Sequence, residues 1–293
     1  MVDICCIGHI TKDKVITPAG VTYMSGGTSF YFSNAICQMD VRYDLVTALA
    51  DSEMKVVDAL RAKGIDIDVL PSKHTVYFEN TYPENPDYRT QRVLQKADPF
   101  TEEYFSDIES GIFHLGPLLA DDIPVGVIKT LAAKGKVSLD VQGYLREVRG
   151  ENVFAIDWKD KMEALQYVSI LKANEHEMAK ITGQTDVHKA AKLLAEWGVK
   201  EVVITLGSMG SVIYCEERFY EIPAYIPSVV VDVTGSGDTY MAGYLYQRVK
   251  GATVQEAGEF AAAMATLKIG SSGPFTGNKD DVLALLSFNR RAV

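Results

Sequence analysis

The segment VDVTGSGDTYMAG at 231–243 contains residue types whose spacing could carry out chemistry. Gly235, Ser236 and Gly237 precede a carboxylate, Asp238, where a run of valines gives way to a helical pattern. If a helix begins near Gly235, its first N–H groups are unpaired and form an anion site that phosphate oxygens can approach closely. A carboxylate would repel that phosphate, so Asp238 is predicted to take the proton from an attacking hydroxyl. The alternative is that Asp238 only stabilises the helix N-terminus.

A second polar pair, Asn174 and Glu177, follows the apolar run at 167–174. Because the two residues are three positions apart, they share one face of a helix and could both face one hydrated cation. The alternative is a helix cap with a solvated glutamate. Thr205 and Gly207 end the next apolar run, where ligands bind in parallel sheets, although a plain turn would use the same residues.

The elements that must position these residues alternate along the chain. Apolar runs at 3–8, 43–49, 111–116, 136–141, 167–174, 201–207 and 210–215 alternate with segments of helical periodicity. This order predicts an α/β fold with a mostly parallel sheet covered on both faces. Segments at about 14–24 and 74–94 instead have hairpin patterns, which predict a small β lid or plain edge strands. No linker-like tract interrupts the pattern, so residues 1–293 are expected to form a single domain.

Composition argues against several classes of protein. The chain has 47% hydrophobic and 23% charged residues, as folded proteins do, and its net charge of −10 argues against a nucleic-acid partner. No basic leader precedes an apolar segment at the N-terminus, and no run approaches ~20 apolar residues, so we expect a cytoplasmic protein without a membrane partner. There is neither an H-E-x-x-H pattern nor a G-x-x-x-x-G-K-[ST] loop, so zinc catalysis and a P-loop lysine are not expected.

The DVTGSGD segment resembles the signature of the ribokinase-like sugar kinases of the PfkB family, in which the last Asp is the base and the G-x-G backbone forms an anion hole. Other segments match in family order: GHITKDKV with a substrate-contacting Asp13, SGG with Gly26 and Gly27, KANEHE, and TLGSMGS with Thr205, Gly207 and Gly210 beside the nucleotide phosphates. The resemblance implies a ribokinase-like three-layer α/β/α fold with a small β lid. It also implies ATP as the donor, and Mg²⁺ held near Asn174 and Glu177 through water.

The acceptor is less closely specified. Family sugar kinases usually read G-G-x-x-x-N, whereas this chain places Tyr31 at the Asn position. The aromatic segment GGTSFYFSNA and SLDVQGYLREV at 138–148 resemble the myo-inositol kinase branch, which implies that Asp140, Gln142 and Arg146 lie near the acceptor or the transferred phosphate. These segments favour a cyclic polyol such as myo-inositol. The alternatives are a ribose- or fructose-type sugar, a nucleoside, or a catalytically silent homologue that only binds its ligand.

The sequence leaves two further properties open. Many relatives bind a potassium ion, which would lie near residues 232–234 and 268–273 in this chain. Exposed strand edges in the lid could pair across a homodimer, whereas a covered edge would leave a monomer.

Overall fold

The computed structural model describes residues 2–82 and 90–290. Among these residues the strands are β1 (Val2–Ile7), β2 (Thr11–Thr17), β3 (Gly20–Gly26), β4 (Tyr43–Leu49), β5 (Asp66–Pro71), β6 (Val76–Thr81), β7 (Thr90–Gln95), β8 (Ser110–Leu115), β9 (Lys136–Asp140), β10 (Arg146–Arg149), β11 (Asn152–Ala155), β12 (Ile170–Asn174), β13 (Glu201–Thr205), β14 (Ser211–Cys215) and β15 (Arg218–Ile222). The helices are α1 (Thr28–Ile36), α2 (Met54–Arg61), α3 (Val125–Ala132), α4 (Lys161–Ala164), α5 (Glu175–Thr182), α6 (Val187–Glu196), α7 (Ser236–Val249), α8 (Val254–Ile269) and α9 (Lys279–Arg290). None of the helices in this described part is long and apolar enough to cross a lipid bilayer.

The larger sheet has nine strands in the order β15-β14-β13-β12-β9-β8-β1-β4-β5. The strands from β13 to β5 are parallel to their neighbours, and β14 and β15 add an antiparallel hairpin at one edge. All seven apolar runs that the sequence predicts to be strands lie in this sheet. The mostly parallel sheet is therefore confirmed.

Side-chain alternation along β1 shows how the sheet is buried on both faces. Ile4 and Cys6 belong to a core that includes residues of α1, α7 and α8. Cys5 and Ile7 point to the other face, into a second core with residues of α3 and α6. Because successive side chains of a strand point to opposite faces, an uninterrupted apolar run such as ICCI requires helices on both sides. The predicted three-layer α/β/α architecture is confirmed.

A second, six-stranded sheet has the order β10-β11-β7-β6-β2-β3. It contains both segments predicted to form the lid, as β2 with β3 and as β6 with β7, although residues 83–89 of the second segment lie outside the described part of the chain. Sequence analysis missed β10 and β11, because these two strands have four residues each and REVR carries three charges. The closing of this sheet over a substrate stays a prediction.

Candidate active site

Three of the predicted site residues end neighbouring strands at one edge of the larger sheet. Asp140 ends β9, Asn174 ends β12 and Thr205 ends β13. The strand register pairs Asn174 with Thr205, and pairs Lys172 with Asp140. Since ligands of open α/β sheets bind beyond the carboxyl ends of the strands, this edge is the place where a substrate would be expected.

The glycine-rich loop ends at Gly235, which caps α7 with a φ of 75°. Within the described residues, the backbone N–H groups of Gly235, Gly237 and Asp238 have no acceptor, whereas the Ser236 N–H pairs with the Val233 carbonyl oxygen at 3.2 Å. Unpaired N–H groups at the positive end of a helix form an anion site. Donors at positions 235, 237 and 238 are therefore available to a ligand, whereas the N–H of Ser236, predicted to belong to the same site, is already paired; the binding of an anion here stays a prediction.

Asp238 lies in the first turn of α7 and is half-buried. Burial and the negative charge of Asp140 raise the pKa of Asp238 to about 6, although the positive charge of Lys172 and a hydrogen bond from Thr28 oppose the rise. A carboxylate with this pKa is ionised at neutral pH and can still accept a proton readily. The environment of Asp238 therefore suits a general base.

Lys172, which sequence analysis did not select, lies at the centre of the polar cluster. Its side chain is buried on β12, and its Nζ lies 2.9 Å from Asp140 Oδ2 and 3.8 Å from Glu177 Oε2. Burial alone would lower the Lys172 pKa, but the charges of Asp140 and Glu177 outweigh that effect and hold the pKa above its usual value. A Cβ added at Gly237 would lie 3.2 Å from Nζ, so the ammonium is in contact with the first turn of α7. A single lysine inside the apolar run YVSILKAN was the signal that could have identified this residue.

Asp140 and Gln142 are engaged within this cluster. Beyond its ion pair with Lys172, Asp140 accepts a hydrogen bond from the Gln142 backbone N–H at 3.0 Å, and the charge of Lys172 keeps the Asp140 pKa below its usual value despite burial. The Gln142 side-chain amide donates to Glu177 Oε1 at 3.2 Å. Arg146 begins β10 of the smaller sheet, where it pairs with Ala155. The position of these three side chains near an acceptor or the transferred phosphate stays a prediction.

Asn174 and Glu177 form a capping box at the start of α5. Asn174 Oδ1 accepts from the N–H groups of His176 and Glu177, and Glu177 Oε2 accepts from the Asn174 N–H at 2.8 Å. Within the described residues, no group of three or more His, Cys, Asp or Glu side chains is arranged to hold a metal ion. Since these oxygens already accept hydrogen bonds, the pair fits a Mg²⁺ ion bound through water and not a direct coordination site.

The predicted acceptor residues of the smaller sheet pack tightly against one another. Asp13 on β2 accepts a hydrogen bond from the Thr11 hydroxyl at 2.6 Å. A Cβ added at Gly26 would lie 2.5 Å from Asp13 Oδ2, and one at Gly27, where φ is 88°, would lie 2.6 Å from the His9 carbonyl oxygen. Gly26 is therefore required by close packing against Asp13, and Gly27 by its positive φ and its contact with the His9 backbone.

Tyr31 connects the acceptor residues with the anion site. Its side chain is 3% exposed, and its hydroxyl has no hydrogen-bond partner among the described residues. Burial raises the Tyr31 pKa, and the negative charges of Asp232, Asp13 and Asp238 raise it further. A Cβ added at Gly235 would lie 2.2 Å from Tyr31 Cδ1, so the ring lies directly against the anion-site backbone.

The turn after β13 contains the two glycines predicted to border the donor phosphates. Gly207 and Gly210 have φ values of 58° and 93°, which residues with a Cβ rarely adopt. A Cβ at Gly210 would lie 2.1 Å from the Ile222 carbonyl oxygen. Met209 between them is 70% exposed. The geometry explains both glycines as turn residues, and their contact with a donor stays a prediction.

Each of the comparisons with known proteins finds similarity to kinases. The model of the pfkB family carbohydrate kinases matches residues 3–281. A cytidine kinase of Thermococcus kodakarensis is 30% identical over 269 residues, covering 87% of this chain and 92% of the relative. A nucleoside kinase of Methanothermobacter thermautotrophicus is 35% identical over 312 residues, covering 98% and 95%. A pyrophosphate-dependent kinase in the ribokinase family, solved with a pyrophosphate analog and myo-inositol, superimposes with a TM-score of 0.87 at 28% identity, covering 96% of this chain and 99% of that one.

Proposed function

Since the chain belongs to the pfkB family of carbohydrate kinases and is a phosphotransferase with a hydroxyl acceptor, we propose that Asp238 is its general base. The observation that carries this proposal is the placement of a carboxylate with a pKa of about 6 in the same helical turn as three N–H groups that have no acceptor among the described residues. The acceptor oxygen attacks the terminal phosphorus of the donor, its proton passes to Asp238, and the bond between phosphorus and the bridging oxygen breaks. The N–H groups at 235, 237 and 238 stabilise the negative charge of the phosphoryl group.

Lys172 supplies fixed positive charge beside this anion site. Its ammonium is in contact with Gly237 and is held in place by Asp140 and Glu177. A buried cation that is already oriented stabilises developing negative charge without reorganisation. It takes the place of the P-loop lysine that the sequence lacks, although it lies on a strand and not in a loop.

A magnesium ion would neutralise the charge of the donor phosphates when it binds with them. Glu177 and Asn174 are the residues that would hold it through water. The presence of Asp238, Asn174 and Glu177 together argues against a catalytically silent homologue.

For the acceptor, we propose a cyclic polyol such as myo-inositol. This proposal is supported by the solved relative that carries myo-inositol, and by Tyr31, whose ring lies against Gly235 and whose buried hydroxyl has no hydrogen-bond partner among the described residues. A substrate hydroxyl would give the Tyr31 hydroxyl the hydrogen bond that no described residue supplies. A nucleoside is the second candidate, because the cytidine and nucleoside kinases are 30% and 35% identical over most of the chain.

The donor is proposed to be ATP. Pyrophosphate is the alternative, because the solved relative that carries myo-inositol is a pyrophosphate-dependent kinase. Exposed apolar side chains lie in both segments next to the proposed donor site: Met209 is 70% exposed, and Val229, Val230, Val231 and Val233 are 53–62% exposed. An apolar surface could pack against a nucleobase, which pyrophosphate does not have. This surface is the observation that favours a nucleotide.

One matrix of assays tests both choices. Myo-inositol, cytidine and ribose are each offered with ATP or with pyrophosphate, and kcat/KM is measured for every pair. We expect the highest kcat/KM for myo-inositol with ATP. If kcat/KM for cytidine exceeds that for myo-inositol by about tenfold or more, the acceptor is a nucleoside and not a polyol. If the enzyme turns over with pyrophosphate but not with ATP, the proposal of a nucleotide donor is wrong. The cytoplasmic location and the choice between monomer and homodimer stay predictions.

A further inference from the structure

A second buried lysine, Lys268, lies in the last turn of α8 and is 0% exposed. Its ammonium donates a hydrogen bond to the main-chain carbonyl oxygen of Asp232 at 2.7 Å and lies 3.4 Å from Asp232 Oδ2. The same ammonium lies 5.9 Å from the centre of the Tyr31 ring. A buried cation is costly unless other groups replace its water shell. The two Asp232 oxygens and the face of the Tyr31 ring fill that role here.

Asp232 lies three residues before the anion site and is bound on several sides. Its Oδ1 accepts from the Thr234 N–H at 2.9 Å, and its Oδ2 accepts from the Gly273 N–H at 3.4 Å. The N–H groups of Val231 and Asp232 both donate to the Ile269 carbonyl oxygen, at 2.8 and 3.3 Å. The segment that leads into the anion site is therefore fastened to the end of α8, and Lys268 is the cation at that junction.

This arrangement bears on the potassium ion that the family resemblance allows near 232–234 and 268–273. A potassium ion would need several oxygen ligands, but Asp232 O and Oδ2 already hold the Lys268 ammonium. An ion on the same oxygens would lie within roughly 4–5 Å of a like charge, and the two cations would repel each other because a buried site screens charge poorly. The residues present therefore do not fit a potassium ion on Asp232.

We infer that Lys268 is a built-in monovalent cation that positions the anion-site loop, so that this kinase needs no potassium ion at Asp232. Lys268 acts through Asp232 and is a positioning residue. The inference rests on the proposed function only in that the loop is taken to bind the donor phosphate.

The test compares the full-length wild type with Lys268→Met, which keeps an unbranched side chain of nearly the same length and removes its charge. Lys279→Met is the matched control, since Lys279 is a half-exposed lysine that bridges to Asp40 at the surface. The melting temperature is measured without substrates, and kcat and KM are measured with ATP as the donor. Each measurement is made in potassium chloride and in tetramethylammonium chloride at equal ionic strength. The melting temperature is independent of the acceptor, so it tests the inference even if the proposed reaction fails.

We expect the wild type and Lys279→Met to have the same melting temperature and the same kcat in both salts. In tetramethylammonium chloride, Lys268→Met should lose about tenfold or more in kcat with a smaller change in KM, because the loop is displaced. Potassium should raise both its melting temperature and its kcat. Potassium-specific stabilisation of the wild type would overturn the inference, and so would a Lys268→Met variant that matches the wild type in every salt. If Lys268→Met does not fold, the inference is tested by the melting temperatures of the wild type in the two salts, which should be equal.

Discussion

Lys172 Nζ lies 2.9 Å from Asp140 Oδ2, at the carboxyl edge of the larger sheet, and both side chains are buried. The pair stands side by side on β12 and β9, because the parallel register aligns the two residues. The placement of Asp140 near the acceptor or the transferred phosphate stays a prediction, and within the protein Asp140 is paired with this lysine. The electrostatics of the site therefore depend on a residue that the motif comparison did not select.

Asp238→Asn should lower turnover by about 10²–10⁴-fold, because an amide cannot accept the proton of the attacking hydroxyl. The Kd for ATP should change little. Steady-state kinetics and calorimetric titration measure the two effects separately. Asp157→Asn is the matched control, since Asp157 is an exposed carboxylate paired with Lys161, and it should leave turnover unchanged. Wild-type turnover in Asp238→Asn would contradict the assignment of the base.

The pH dependence of both activity and stability should reflect Asp238. Because the base must be ionised, kcat/KM should fall as the pH drops below about 6. The pKa of Asp238 is higher in the folded protein than in the unfolded chain, so its contribution to stability is fully present below about pH 3.9 and is lost as the pH rises through about 6. At about pH 8 the ionised carboxylate then destabilises the fold by up to ~3 kcal/mol. Asp238→Asn should raise the melting temperature at that pH and have little effect near pH 4.

Lys172→Met should reduce kcat by about 10²–10³-fold, because a fixed cation beside the anion site is lost. Lys172 also lowers the pKa of Asp238, so the acidic limb of kcat/KM in the variant should move to higher pH. Removing the lysine leaves Asp140 buried without its partner, which costs about 3–5 kcal/mol.

The double variant Lys172→Met with Asp140→Asn separates these effects. It should recover much of the lost melting temperature and little of the lost turnover. Recovery of turnover together with stability would mean that Lys172 is only structural.

Gly235→Ala should destabilise the protein and abolish turnover, because the new Cβ would lie 2.2 Å from the Tyr31 ring in a residue with a φ of 75°. Gly251→Ala is the matched control, since Gly251 has a φ of 82° and nothing within 4 Å of an added Cβ. The control should lose only about 1–2 kcal/mol of unfolding free energy, from backbone strain alone. Equal losses in both variants, measured by denaturant unfolding, would show that Tyr31 does not press on the anion site.

Tyr31→Phe should keep or raise the melting temperature, because it removes a buried hydroxyl that has no partner among the described residues. Its KM for the acceptor should rise, by about tenfold if one hydrogen bond to the substrate is lost. Tyr43→Phe is the control: the Tyr43 hydroxyl bonds to Ser33 Oγ at 2.6 Å, so its removal should lower the melting temperature and leave KM unchanged. An unchanged KM in Tyr31→Phe would exclude contact between this hydroxyl and the acceptor.

Much of this protein follows from its sequence alone. The uninterrupted apolar runs determine a parallel sheet with helices on both faces, since only such a sheet buries both sides of a strand. The three small residues before Asp238 predict free backbone donors at the start of α7, because the backbone geometry of a helix N-terminus is local in sequence. The capping box at Asn174 and Glu177 is likewise local.

Only the tertiary structure decided which charges neutralise one another. Lys172 and Asp140 are 32 residues apart, and Lys268 and Asp232 are 36 apart, so their pairing depends on strand register and on the packing of α8 against the loop. The contact between Tyr31 and Gly235 depends on the packing of α1 against α7 in the same way. Burial and the distance between charges set a pKa or exclude a second cation, and neither quantity exists until the chain has folded.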